Sequence, residues 1–238
     1  MKYINDPEFI KFFNEIENIR FFPFVGVNYK SSKKKILIFA HNIPVDPERY
    51  KKEQLRTKSK THFADAMGEY VYKQKKWTKA FRNFVKGSLG IKSNFNKNSS
   101  EDLKNKINEH IKSISYINYI NNLVPSRSQN NVKIEKKLID LSTEINNQIY
   151  EILGTTHIVC WGKPTFDYLV RQKGVEIYEK TALLTDRKIK KKGFEFAKIH
   201  INGRFINVLK VFHPSMPSFG HKKESTHKIF DWFYETNI

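Results

Sequence analysis

The 238-residue sequence is short of cysteine, of long apolar runs and of negative charge. A single cysteine, Cys160, excludes a disulfide framework and any iron–sulfur cluster or zinc site held by several cysteines. No apolar run reaches the length of a membrane span, and the N-terminus has no signal-peptide core. We therefore expect a soluble cytoplasmic protein in which Cys160, inside the apolar run 158–161, is a core residue.

Positive charge is in large excess. The chain has 43 Lys and Arg against 24 Asp and Glu, a formal net charge of +19 and an isoelectric point near 9.8. Several of the lysines occur in runs, at 33–35, 51–52, 73–76 and 188–192. Such a surface attracts polyanions and raises their local concentration. The composition therefore predicts a nucleic-acid partner, and nothing in it indicates a membrane or an obligatory protein partner.

The chain has enough apolar residues for one large core. They make up 39% of the sequence, with 19 Phe and 11 Tyr, and no Pro- or Gly-rich linker divides the chain. We predict a single domain over 1–238 with an inserted helical and polar region at about 48–110. Within this region apolar spacing predicts a helix over 66–86, and the Asn-, Lys- and Ser-rich stretch 92–108 predicts a surface excursion.

Helical and strand-like segments alternate along the rest of the chain. Apolar spacing and end signals predict helices that start at Pro7, span 134–152, start at Gly162 and span 223–234. Continuous or alternating apolar runs predict strands at 35–40, 114–120 and 157–161, and a hairpin at 196–212 with an Asn202-Gly203 turn. Strands that alternate with helices predict an α/β protein with a parallel sheet covered on both faces.

Polar side chains follow three of the predicted strands. His41 and Asn42 come after the first, Asn118 lies near the end of the second, and His213 leads from the last strand into the Pro- and Ser-rich loop 214–218. In parallel sheets, ligands bind beyond the carboxyl ends of the strands. We therefore expect these side chains to converge on one edge of the sheet and to form a site there.

The chain as a whole resembles the uracil-DNA glycosylase superfamily. The matching segments are, in order, 23–26, 36–44, 116–119, 159–162 and the His-Pro-Ser motif at 213–215. The resemblance implies a three-layer α/β/α fold with a short, mainly parallel central sheet. It also implies an enzyme that extrudes a pyrimidine from double-stranded DNA and hydrolyses its N-glycosidic bond, which leaves an abasic site. No cofactor and no metal are implied.

The resemblance assigns catalytic roles to two loops. Hydrolysis makes the sugar cation-like, while the departing base takes negative charge on a ring oxygen. His213 would donate a hydrogen bond to that oxygen, as an oxyanion hole does. Asn42 aligns with the residue that orients the attacking water against the sugar, and the nearby carboxylate of Asp46 would supplement it.

The same resemblance indicates how the base and the DNA would be held. Asn118 matches the residue that reads the pyrimidine edge, because its amide can both donate and accept. The other predicted base-binding residues are Tyr116, His41 and Pro44, although Tyr116 has a core position as an alternative. The predicted DNA contacts are phosphate binding by Ser215 and Ser218, an apolar wedge at Met216 or Pro217, and Lys163.

One departure from the family pattern bears on the substrate. The family's first loop usually begins with Gly and often ends in a Tyr that closes the pocket over pyrimidine C5, whereas this chain has Ala40 and Pro44. We hypothesise a C5-modified pyrimidine substrate, such as hydroxymethylated or glucosylated cytosine of phage DNA, in an antiviral defence. The alternatives are uracil in base-excision repair and a DNA-binding module of the same fold without catalysis. A metal-dependent nuclease is less well supported, because no carboxylate cluster has convincing ligand spacing.

Overall fold

The computed structural model of the chain describes residues 7–70, 79–92, 95–96, 98–125, 134–183, 194–215, 219 and 223–237. Over these ranges the protein has a three-layer α/β/α architecture with a seven-stranded, mainly parallel sheet in the middle. The predicted fold class is confirmed. None of the helices within these ranges combines the length and the apolar character that crossing a bilayer requires.

The strands are β1 (Phe24–Val25), β2 (Ile36–Ala40), β3 (Ile43–Val45), β4 (Ile114–Asn118), β5 (Leu123–Pro125), β6 (His157–Trp161), β7 (Glu176–Leu183), β8 (Phe194–Ile201) and β9 (Arg204–Val211). The large sheet has the order β1-β4-β2-β6-β9-β8-β7. Its four adjacent strands β4, β2, β6 and β9 are parallel, and β1, β8 and β7 are antiparallel to their neighbours. Strands β3 and β5 form a small parallel sheet of their own.

The helices are α1 (Pro7–Glu15), α2 (Tyr50–Arg56), α3 (His62–Tyr70), α4 (Lys79–Ser88), α5 (Glu101–Lys112), α6 (Lys136–Ile152), α7 (Lys163–Val170) and α8 (Lys223–Glu235). A 3₁₀ turn, Pro47–Arg49, precedes α2. Apolar side chains of α1, α6 and α7 pack on one face of the large sheet, and those of α3, α4, α5 and α8 pack on the other. Both faces of the central strands are therefore covered.

The two faces have separate cores because side chains alternate along each strand. In β2, Leu37 and Phe39 belong to the core under α1, α6 and α7, while Ile36 and Ile38 belong to the opposite core. Every residue of β2 and β6 is buried. This explains why both strands read as continuous apolar runs. Cys160 lies in β6 with 0% exposure, and its predicted core position is confirmed.

The predicted hairpin and most predicted helices are confirmed. Strands β8 and β9 are joined by Asn202 and Gly203, whose φ angles of 49° and 75° are those of the primed turn that right-twisted strands favour. Helix α6 ends two residues before Gly154, which has a φ of 60° and stops the helix in the left-handed conformation. The hairpin therefore sets the direction of β9 and of the loop that follows it.

The predictions for the inserted region are confirmed in part. The helix expected over 66–86 is observed at 66–70, in α3, and at 79–86, in α4, and residues 71–78 of the prediction lie outside the described residues. The stretch 92–108 is not wholly a surface excursion, because α5 begins at Glu101 and buries Ile107 and Ile111. Helix α5 has one apolar residue per turn among its Lys and Asn residues, and this is enough for it to pack against the core.

Candidate functional site

The four parallel strands end side by side at one edge of the sheet. Asn118, the last residue of β4, lies opposite Ala40, the last residue of β2. His41 and Asn42 follow Ala40 directly, and His213 lies two residues beyond the end of β9. The structure therefore brings the polar residues that follow these strands to the same edge.

His213 is held as a neutral hydrogen-bond donor. The backbone N–H of Ser215 donates to its Nδ1 at 3.3 Å, and the Ser215 hydroxyl lies 2.7 Å from the same nitrogen. Because Nδ1 accepts a hydrogen bond, the ring proton resides on Nε2. Burial lowers the pKa of His213 and favours the uncharged ring. The site therefore contains an imidazole whose Nε2–H can donate to a ligand.

Aromatic packing and one hydrogen bond fix the position of this imidazole. The His213 ring stands edge-to-face on Trp161, with 5.9 Å between ring centroids, and Trp161 contacts Tyr116 at 5.2 Å. The carbonyl of Pro214 accepts a 2.8 Å hydrogen bond from Nδ2 of Asn83 in α4. The loop after β9 is thus joined to both the sheet and the helix layer.

Several buried polar atoms at this edge have no hydrogen-bond partner among the described residues. They are Nε2 of His41, Nδ2 of Asn42 and Nε1 of Trp161. An unpaired buried donor costs about 1–3 kcal/mol, so most buried polar groups in proteins are paired. Three such atoms lie at the ends of neighbouring strands, where a ligand that reaches this edge can pair with them.

His41 lies close enough to His213 for their charges to interact. Burial lowers the pKa of His41, and the neighbouring His213 lowers it further. The backbone N–H of Ile120 donates to the His41 carbonyl at 2.9 Å, and the ring of His41 lies 5.9 Å from that of Tyr168. The loop after β2 therefore faces the loop after β9 across the end of β6.

A shallow cavity opens on the same face of the sheet as Tyr116. Its enclosed volume is only about 20 Å³, and about 300 Å³ when the open space at its mouth is included. Its lining is mostly aromatic and has two amide side chains: Phe21, Phe22, Phe24, Phe63, Ala64, Tyr116, Ile117, Asn118 and Asn121. Flat apolar walls with a few polar groups are typical of sites for planar ligands. Tyr116 links this cavity to His213 through the ring of Trp161.

The predicted base-binding residues have different positions. Asn118 and Tyr116 line the cavity, and Tyr116 also packs edge-on against Phe81 at 5.7 Å. Tyr119 lies on the opposite face and is fully buried. Pro44 is not among the lining residues, because β3 holds it opposite Val124 of β5.

The remaining predicted residues lie on the surface or outside the described ranges. The exposed Asp46 accepts the N–H of Glu48 at 3.0 Å and caps the 3₁₀ turn, so one oxygen of its carboxylate has a local structural role. Lys163 is exposed at the start of α7 and ion-paired with Asp167. Ser215 is exposed and bonded to His213, and its phosphate role stays a prediction. Met216, Pro217 and Ser218 lie outside the described residues.

The sequence reasoning missed the parts of the cavity that come from outside the central strands. Phe21 lies in the loop before β1, and Phe63 is the second residue of α3, inside the inserted region. Their rings meet edge-to-face at 4.8 Å. Neither residue follows a strand, so strand ends alone could not identify them.

Neither a protein-family model nor a curated protein matches this chain.

Asn121 holds Phe21 against the cavity. Its Oδ1 accepts the backbone N–H groups of Arg20 and Phe21 at 2.7 and 2.9 Å, and its Nδ2 donates to the Phe21 carbonyl at 2.8 Å. The side chain is nearly fully buried. Asn121 therefore supplies the backbone of this segment with the hydrogen bonds that a neighbouring strand would otherwise provide.

Replacing Asn121 by leucine should lower the free energy of unfolding by about 2–4 kcal/mol, because three buried backbone groups would lose their partner. Urea unfolding measures this loss. Asn122→Ala is the matched control, since Asn122 is less buried and accepts one local bond, from the N–H of Leu123 at 2.8 Å. Equal losses in the two variants would show that the bonds to the Phe21 segment contribute nothing special.

Proposed function

We propose that the protein is a DNA glycosylase that hydrolyses the N-glycosidic bond of an extruded pyrimidine and leaves an abasic site. The observation that carries this proposal is the neutral imidazole of His213, with its proton on Nε2, at the same strand edge as Asn42, whose buried Nδ2 has no partner within the described part of the chain. The cavity with aromatic walls, which Asn118 also lines, opens on the face of the sheet that carries Tyr116. The net charge of +19 supports a polyanionic substrate.

In the proposed reaction the bond between the sugar C1′ and the base nitrogen breaks, and its electron pair leaves with the base. Negative charge then grows on the ring oxygen of the pyrimidine. The Nε2–H of His213 donates to that oxygen, and the bond strengthens as the charge develops. A donor of this kind contributes about 3 kcal/mol to the stability of the transition state. The base anion takes up a proton from water after it departs.

Asn42 has the role of orienting water. The sugar is nearly a free cation when water attacks C1′, so the nucleophile needs a fixed direction more than a strong base. The carboxamide of Asn42 can accept a hydrogen bond from that water through Oδ1. The attacking water then loses one proton to solvent and keeps the other in the hydroxyl group on C1′. Since Asp46 serves as a cap on the surface, the mechanism does not use its carboxylate.

The proposed substrate carries a substituent at pyrimidine C5. Asn118 would read the polar edge of the base, with Tyr116 and Phe63 at its faces. No residue of β3 is among the cavity-lining residues, and Pro44 offers no aromatic wall over C5. We therefore favour hydroxymethylated or glucosylated cytosine, as in phage DNA, which would make the protein an antiviral enzyme. Uracil is the alternative base, with a role in repair.

The test is the release of a free base. Duplexes that are unmodified, that contain uracil, or that contain C5-hydroxymethylated or glucosylated cytosine are incubated with the protein, and the liberated bases are measured by mass spectrometry. Abasic sites are detected as strand breaks after alkali. We expect release from a C5-modified duplex and a reduction of about 10²-fold in Asn42→Ala, because the water would lose its orientation.

Other outcomes separate the alternatives. Release of uracil alone would reject the C5-modified substrate and keep the glycosylase. Tight binding without release of any base would indicate a DNA-binding module that has lost catalysis. Strand breaks that require magnesium and no alkali would indicate a nuclease, which breaks a different bond.

A further inference from the structure

Helix α2 exposes an apolar side chain that the core does not use. None of its seven residues is buried. Leu55 is 64% exposed, the highest value for a large apolar side chain in the described part of the chain. A surface helix normally turns its apolar residues inward, and Leu55 does not follow this pattern. Leu55 is therefore exposed to contact with a partner.

The inner side of α2 is nevertheless firmly attached. Tyr50 packs against the small apolar cluster beneath the helix, and the residue after the helix, Thr57, is fully buried. The guanidinium group of Arg20 donates to the carbonyls of Gln54 and Lys58 at 3.3 and 3.4 Å. These contacts hold the end of the helix, so the direction in which Leu55 projects is set by the fold.

The outer side of α2 is basic around Leu55. The exposed Lys51 and Lys52 precede Leu55 by four and three residues, which places all three on one side of the helix. The exposed Arg56 follows, with one carboxylate partner in Glu53 at 2.6 Å. Residues 47–60 contain six Lys or Arg and two Glu. This combination is complementary to DNA. The lysines can contact the phosphates, and the apolar leucine can contact the stacked bases between them.

Helix α2 also adjoins the cavity. Phe21 and Phe63, which line the cavity, belong with Tyr50 to the same apolar cluster. The N–H of Phe22, another lining residue, donates to the carbonyl of Lys60 at 2.8 Å. The segment that contains α2 is therefore connected directly to the cavity wall.

We propose that the outer face of α2 binds duplex DNA beside the cavity, with Leu55 packed into the base stack next to the extruded nucleotide and Lys51 and Lys52 on the flanking phosphates. Extrusion unstacks a base, and an apolar side chain that fills the gap stabilises the opened duplex. The inference rests on the proposed function in that the cavity receives the extruded base. In this proposal Leu55, which belongs to the inserted region, stabilises the opened duplex.

The test of Leu55 compares duplex with single-stranded DNA of the same sequence, each carrying 2-aminopurine beside the target base. Leu55→Gln should weaken duplex binding about tenfold and reduce the 2-aminopurine signal of unstacking, since a buried leucine contributes about this ratio. Binding of single strands should not change, because nothing has to be opened. Leu55→Met should keep both properties, and Tyr178→Ala, which removes a side chain that is 60% exposed in β7, should have no effect.

The lysines are tested through salt. In the double variant Lys51→Ala/Lys52→Ala, the plot of log affinity for the duplex against log salt concentration should become less steep by about 2. Each lost phosphate contact reduces the magnitude of this slope by about 0.9. Lys33→Ala/Lys173→Ala is the matched control, because both lysines are exposed and lie near the opposite edge of the sheet. Thermal unfolding of every variant checks that the fold is intact.

The experiments distinguish the role of Leu55 from the proposed glycosylase function. Release of a base by the wild-type protein decides the proposed function, and the loss of duplex binding in Leu55→Gln decides the role of Leu55. Unchanged duplex binding in Leu55→Gln, or an equal loss on single strands, would overturn the role of Leu55. If the wild-type protein binds no DNA, both the proposed function and the role of Leu55 are overturned. This includes the case in which α2 binds another protein in place of DNA.

Discussion

Replacing His213 by alanine should lower the rate of base release by about 10²–10³-fold, which is the usual cost of removing one donor from a developing anion. The affinity for substrate DNA should change far less, because the bond from Nε2 strengthens only as negative charge grows on the base. Single-turnover kinetics with excess protein separate the two effects, since the rate of base release is measured on DNA that is already bound.

The dependence of this rate on pH tests the charge of the imidazole. Burial lowers the pKa of His213 from its ordinary value of 6.5, so the neutral ring predominates at and above that pH. The rate should therefore not rise as the pH is lowered from about 8 to 6.5, because Nε2 already carries its proton and the ring stays uncharged over this range. His213→Gln should retain part of the activity, because its amide can still donate. A rate that rises as the pH falls through 6.5 would contradict a neutral donor.

Acid should destabilise the fold between pH 6.5 and about 4, because two buried histidines remain neutral in that range. Burial lowers the pKa of His110 to about 4, and the nearby Lys106 acts in the same direction. Burial likewise lowers the pKa of His157 to about 4, although its hydrogen bond to the Thr236 carbonyl opposes the change. In the unfolded chain both rings regain their ordinary pKa near 6.5.

The direction of the effect follows from proton binding. Above pH 6.5 the two histidines are neutral in both states and contribute nothing to the dependence on pH. Between 6.5 and about 4 the unfolded chain binds protons that the native protein does not, so the free energy of unfolding falls as the pH falls. Below about 4 both states are protonated and the loss is complete. For each histidine it amounts to about 3 kcal/mol.

Urea unfolding over a series of pH values measures this loss. His110→Gln and His157→Gln should each make the dependence on pH shallower over this range. His200→Gln is the control, because its side chain is 32% exposed and lies on the outer part of the sheet. If both buried-site variants keep the full dependence, the carboxylates and not these histidines cause the acid sensitivity.

Strands and helices whose residues are thoroughly buried could be predicted from the sequence. Strand β2 is apolar at every position, β6 is apolar from Ile158 to Trp161, and α6 carries a regular apolar stripe. Strand β7 was missed because its residues from Glu176 to Ala182 are exposed, which leaves no alternation between buried and polar positions. Strands β3 and β5 have three residues each and contain Pro44 and Pro125, so nothing in the local sequence indicates pairing.

The candidate site was predictable only where it follows the central strands. Asn118, Asn42 and His213 each come at or just after a recognisable strand, and parallel order brings such residues together. Phe21 and Phe63 reach the cavity through tertiary contacts between distant segments, which no local pattern encodes. The exposure of Leu55 likewise depends on which side of α2 is attached, and its sequence alone does not show this.

The burial of Cys160 has a practical consequence. The sole thiol of the chain lies in the middle of the sheet, has no exposure and has its pKa raised by burial, so it forms the reactive thiolate with difficulty. A cysteine introduced on the surface would therefore be the one site open to maleimide dyes, spin labels or cross-linkers. Distances within a complex can then be measured on a background that needs no prior removal of native thiols.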